Sequence, residues 1–251
     1  MYFKLSAPLL TAALTLLASL ASPTVRADAT LNFVDQANQT GQIQTSGQWV
    51  RVQQAAAAGV FMLFNASNEE LTVVNSQAKS FQVITPDQIK QTASELDKAR
   101  EQLKANFDKL PAAQQAQLKP ILEQMRQSEN AKRKVKAEGS NKVANIQCNE
   151  HQVFINDELS QQICSANQKS LGIAAKDYQN IAAMLNMLAE ISRSFGTSEA
   201  NAGVSPQELG GLPVFTNDPK TKNFNRLDSI DQKKIKASRF EVPNTYQQVR
   251  R

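Results

Sequence analysis

Residue types that do covalent or metal chemistry are scarce in this chain of 251 residues. Its two cysteines, Cys148 and Cys164, and its one histidine, His151, lie in one short stretch. Two thiols with no third most simply form one disulfide in an oxidising compartment. Structural zinc takes four Cys or His ligands, so this inventory argues against a metal site. The serines have no histidine to activate them besides His151, and there is no Gly-x-Ser-x-Gly elbow. Neither a phosphate-binding glycine loop nor a His-Glu-x-x-His pair occurs. Neighbouring carboxylates such as Glu69 and Glu70 fall in turn-like sequence and read as solvated. The expectation is a protein that is not an enzyme and holds no metal or cofactor, with His151 as an exposed strand or turn residue.

The elements around the cysteines suggest how they meet. Val143 to Asn156 and Leu159 to Ser165 read as strands flanking a turn near Asn156, with the cysteines eight residues either side of that residue. A hairpin centred on Asn156 would place the two sulfurs directly opposite each other. Cross-strand Cβ atoms lie about 4.5–5.5 Å apart, close to what a disulfide bridges. Redox-active pairs more often read Cys-x-x-Cys, so this one is expected to be structural.

Elsewhere the pattern divides into sheet, helix, and sheet again. Short period-2 runs bounded by Gly, Asn and Asp turns predict six antiparallel strands near 29–35, 40–45, 48–54, 59–64, 70–75 and 79–84. Thr85-Pro86-Asp87 is a helix start, followed by apolar residues at helical spacing from Ile89 to Phe107. Leu110-Pro111 separates a second helix, in which Pro120 predicts a kink or break. Residues 127–133 read as the connection back to sheet. A further helix over roughly 175–195 carries Ile181, Met184, Leu185, Met187, Leu188, Ile191 and Phe195, more apolar surface than a narrow stripe. Residues 196–211 read as a mobile linker, and Leu212–Phe215 with Phe224–Ile230 as a closing hairpin. This is an α+β class chain.

Two apolar features stand out as candidate binding surface. The segment from Val60 to Phe64 is apolar at every position, so as a strand it must be covered on both faces. Either a helix covers one face and a loop the other, or one face lines a greasy cavity. Phe61 and Leu63 are the cavity candidates on that strand, and Met184, Met187 and Leu188 those on the helix, because methionine suits adaptable apolar surfaces. The same helix could instead be a plain core contact.

The first 27 residues predict the compartment. Lys4 is followed by an apolar run from Leu5 to Leu20 and by the small-residue site Val25-Arg26-Ala27, with Ala27-Asp28-Ala29 as a second option two residues on, a secretory signal peptide pattern. That run is shorter than the roughly 20 residues of a membrane-spanning helix. No cysteine lies near the site to carry a lipid, so the chain from Asp28 is expected to be periplasmic or secreted, soluble, without a membrane span and not a lipoprotein. Loss of Lys4 and Arg26 takes the formal charge from +5 to +3. This mild, scattered excess lacks the clustering that nucleic-acid binding requires.

The order of segments carries a resemblance. After the leader come "KSFQVIT" at 79–85, the helices split at Leu110-Pro111, "VANIQC" at 143–148, "QQICSANQKSLGI" at 161–173, "GGLPVFTNDP" at 210–219 and "SRFEVPNTYQQV" at 238–249. Together they resemble an uncharacterised bacterial secreted family, a domain of unknown function. That family is similar in fold to periplasmic lipoprotein carriers and lipoprotein receptors. The resemblance implies one half-barrel domain over 28–251, a curved antiparallel sheet with helices on or across its concave side. It also implies that the concavity takes a hydrophobic ligand, with a lipid or lipidated protein as partner. The alternative is a protein-interaction or envelope-assembly module whose core is filled by its own helices.

Overall fold

The computed structural model describes residues 28–54, 57, 59–194 and 203–249; the leader and Phe195 lie outside the described residues. Six strands run as an antiparallel meander: β1 (Ala29–Asp35), β2 (Thr40–Ser46), β3 (Trp49–Gln53), β4 (Val60–Asn65), β5 (Glu70–Asn75) and β6 (Ser80–Ile84). Each matches its predicted strand within one or two residues, because the period-2 runs and turn residues agree.

Helix α1 (Pro86–Asn106) starts at a capping box. The Thr85 hydroxyl accepts from the Gln88 backbone, and the Gln88 side chain accepts from the Thr85 N–H. Helix α2 (Ala112–Asn130) begins after Pro111 and runs as one element through Pro120, without the expected break. A proline there gives up one backbone hydrogen bond. The helix continues to Asn130, so the predicted connection over 127–133 shrinks to two residues.

Three long strands follow: β7 (Arg133–Val143), β8 (Ile146–Ile155) and β9 (Glu158–Ala166). The single strand expected over 143–156 is instead preceded by a hairpin at Ala144-Asn145, where both residues have positive φ (48° and 65°). Alanine rarely adopts that conformation, which hides the turn in the sequence. Asn156-Asp157 forms a second such turn, with φ of 51° and 65°.

The two-residue turn at Asn156-Asp157, together with a register shift between Val153 and Phe154, changes the cysteine geometry. Cys164 sits opposite Glu150 rather than Cys148. The disulfide therefore joins diagonal neighbours across β8 and β9, with Cα atoms 5.5 Å apart. Both cysteines are buried within the main core.

After α3 (Gln168–Leu171) comes α4 (Ala175–Ser194), as expected from its apolar surface. The described part of the predicted linker, 203–211, contains a short helix. Val204 and Ser205 are buried, and α5 (Pro206–Leu209) is capped by a reciprocal Ser205–Glu208 box. Arg133 pairs with Glu208, tying this segment to β7. Strands β10 (Leu212–Asn217) and β11 (Phe224–Asp231) form the predicted hairpin, and β12 (Gln247–Gln248) ends the described chain. At the start of β10, a Cβ on Gly211 would lie 2.8 Å from the Ala166 carbonyl oxygen, so only glycine permits that approach.

Among the described residues, twelve strands belong to one curved, unclosed sheet of order β12-β6-β5-β4-β3-β2-β1-β11-β10-β9-β8-β7. Strand β11 pairs with both β1 and β10 and so joins the two meanders. The face of the sheet beneath α4 is its inner face. Leu31, Val50, Phe64, Leu71, Leu212 and Leu227 from the sheet pack there with Ile181 and Met184 of α4 in one buried cluster. This is the α+β, unclosed-sheet architecture expected from the sequence.

Candidate functional site

Helix α4 does not fill the space above the inner face. Between it and strands β1 to β4 and β10 lies a partly open cavity of about 360 Å³. Its floor comes from alternating positions of the first meander: Leu31 and Phe33, Ile43, Val52 and Met62. These share one face because Leu31 pairs with Ile43, Ile43 with Val52, and Val52 with Met62. Ile181, Met184, Leu185 and Leu188 form the roof, one helical stripe. Phe215 of β10 closes one side, and polar groups such as Asp35, Gln53 and Asn225 also line the site. An apolar concavity with a few polar groups is the usual form of a small-molecule site.

Polar bonds hold the first half of α4 in place. The Thr45 hydroxyl donates to Asp177 at 3.0 Å, and the Asn180 amide donates to the Gly47 carbonyl at 2.9 Å. Burial raises the Tyr178 phenol above its ordinary range, partly opposed by a hydrogen bond with the Leu212 backbone. All three ties lie before Ile181. Leu185 and Leu188, in the second half, border the cavity.

The predicted site residues divide between three places. Met184 and Leu188 line the cavity. Met187 is buried in the core but does not line it. Phe61 and Leu63 point to the outer face, away from the cavity, so the cavity residue of β4 is Met62. Helix α4 packs on the inner face of the sheet, and on the outer face a C-terminal segment covers β3, the neighbour of β4. The turn over Ala237–Phe240 lies against β3, Arg239 donates to Gln44 at 3.2 Å, and Phe240 is buried. Arg51 sits under this cover with its guanidinium 4.3 Å from the centre of the Phe61 ring. Burial, helped by the nearby positive Arg239, pulls the Arg51 pKa down to about 10.

Sequence reasoning missed the cavity floor because period 2 identifies two faces but not which one turns inward. The signal was nonetheless present, since Leu31, Phe33, Ile43, Val52 and Met62 occupy alternating positions of neighbouring strands.

His151 is buried rather than exposed. Its Nε2 lies 2.9 Å from Ser165 Oγ, and the Ser165 hydroxyl donates to the Leu209 carbonyl at 2.9 Å. That leaves Ser165 Oγ to accept from Nε2–H, with the serine proton committed to a carbonyl instead of to a base. The pair therefore joins β8 and β9 to α5 and lacks the arrangement of an activated nucleophile. Burial lowers the His151 pKa, against a hydrogen bond with the Leu209 backbone. A histidine harder to protonate folded than unfolded gives full stability above the unfolded value of about 6.5, lost as pH falls through the lower folded value. Thermal melts are expected to show lower stability at pH 5.5 than at 7.5, with a smaller difference in His151→Gln. Equal pH dependence in the two proteins would contradict this. Against the upward push of burial, hydrogen bonds from the Ser205 backbone and hydroxyl and the positive Arg133 and Arg193 hold the Glu208 carboxyl below its ordinary value.

No protein-family model and no curated protein matches the chain. Among solved structures, it is similar to an uncharacterized conserved protein from Thermus thermophilus. The two share 7% identity and a TM-score of 0.42, over 90% of this chain and 92% of that one. A likeness at that level carries no functional argument and lends none to a carrier role.

Proposed function

We propose that the protein binds a hydrophobic ligand, an acyl chain or a lipidated partner, in the cavity beneath α4, without catalysing a reaction. The observation that carries this reading is the partly open apolar cavity between Leu31, Ile43, Val52 and Met62 below and Leu185 and Leu188 above. Its volume, about 360 Å³, falls within the usual range of ligand pockets. A ligand would enter by displacing the second half of α4, while Thr45 and Gly47 hold the first half.

The proposed place of action is the periplasm or the exterior, following the leader pattern. A buried disulfide suits such an oxidising compartment. Among the described residues, no helix is long and apolar enough to cross a membrane.

Titration with a fluorescent fatty acid tests the reading. One probe is expected to bind per chain. Leu188→Glu, at a half-buried roof position, should weaken binding at least about tenfold while the melting temperature stays within a few degrees. Failure of the wild-type protein to bind any such probe would overturn the proposal. The second reading, an interaction or envelope-assembly module, is favoured by the complete burial of Ile181 and Met184. In that reading α4 is permanent core and the remaining space is a packing gap.

A further inference from the structure

Two buried carboxylates lie where β1 begins. Asp28 and Asp177 are 4% and 3% exposed. Asp177, in the first turn of α4, accepts from Thr45 on β2, and Thr45 pairs with Ala29, the residue after Asp28. The Asp28 carboxylate accepts from the Ile235 N–H at 2.6 Å. Neither carboxylate forms an ion pair among the described residues. Lys176 is exposed and acts on Asp177 only through space. Burial raises the Asp177 pKa, and the neighbouring negative Asp28 adds to that rise. A buried carboxylate without a counter-ion is costly.

The missing cation is the one that leader removal would make. We propose that the α-ammonium released on Asp28 by cleavage after Ala27 is the counter-ion of the buried Asp177 carboxylate, so that processing locks the start of β1 to α4. In the uncleaved chain the Asp28 nitrogen is a neutral amide. A leader-removing endoprotease hydrolyses the Ala27–Asp28 peptide bond with one water. The hydroxyl goes to the Ala27 carbonyl carbon, which departs as a carboxylate. The Asp28 nitrogen gains two protons, one from the water and one from the new carboxyl group. An α-amino group has an ordinary pKa of about 7.7–8.0 and is mainly protonated at neutral pH. Asp28 directly precedes Ala29, which pairs with Thr45, and the Thr45 hydroxyl donates to Asp177, so the new charge would form one residue from the strand position that holds this carboxylate.

This inference rests on the leader reading and is independent of ligand binding, so a protein that binds no fatty acid leaves it standing. The test begins with N-terminal sequencing of the exported full chain, which should start at Asp28; any other start overturns the proposal. A second chain carries two glycines inserted between Ala27 and Asp28, with mass spectrometry confirming that they are retained after processing. Its melting temperature should be about 3–6 °C lower, a shift in the range expected for one ion pair in a domain of this size. Asp177→Asn should lower the melting temperature of the chain that starts at Asp28, but raise it or leave it unchanged in the glycine-extended chain. Equal melting of the two wild-type chains, or equal effects of Asp177→Asn in both, would overturn the proposal. Should Asp177→Asn fail to fold, selective acetylation of the wild-type α-amino group gives the decisive reading, with the same fall expected and no change contradicting it.

Discussion

Met184→Glu is expected to unfold the protein. Met184 is fully buried at the centre of α4, among Leu31, Phe64 and Leu212 in the main cluster. Replacing it removes a packed side chain and forces a carboxylate into an apolar site with no cation beside it. Large-to-small losses in cores run about 2–5 kcal/mol, and an unpaired buried charge adds several more. The total rivals the roughly 5–15 kcal/mol by which domains are stable. Near-ultraviolet circular dichroism should show loss of fixed tertiary structure. Leu188→Glu, four residues along and half-buried beside the cavity, should remain folded. A folded Met184→Glu protein would mean that α4 is a lid along its whole length.

Removal of the disulfide by Cys148→Ser with Cys164→Ser should also have a large effect. The bridge closes a loop with a sequence separation of 16. On the chain-entropy account, loops of that size contribute about 3 kcal/mol. Both sulfurs are buried, so reduced thiols would still pack as small apolar groups. Loss of the cross-link therefore dominates. A fall in melting temperature on the order of 10 °C is expected for the double variant and for the reduced wild-type protein. Equal melting of oxidised and reduced protein would contradict it.

The sequence exposed some levels of this structure and concealed others. The first meander was legible because its strands, apart from the wholly apolar Val60–Phe64, alternate, and because its turns carry their own chemistry, such as Ser46-Gly47. Helix α1 was legible from Thr85 and Pro86. Helix α5 was written as Ser205-Pro206-Gln207-Glu208, a capping sequence inside a stretch whose glycines and polar residues resemble a linker. The turn at Ala144 was hidden because alanine is an unusual choice at positive φ. The cysteine pairing was legible, but its diagonal register depends on a turn that takes Asp157 as well as Asn156 and on a bulge that no local residue announces. The candidate site was half legible. Met184 and Leu188, singled out through the helix's excess of apolar surface, lie against the cavity. Phe61 and Leu63 alternate with Met62 and so lie on the face away from the cavity, a choice that period 2 alone leaves open.

Whether the cavity under α4 holds an apolar ligand decides the functional reading. Native mass spectrometry of protein purified from its own cell envelope is the direct measurement. A 1:1 adduct with the mass of an acyl-chain lipid is expected, lost in Leu188→Glu. Protein of bare mass, together with no binding of added fatty acid, would show that the cavity is only a packing gap beneath a permanent core helix.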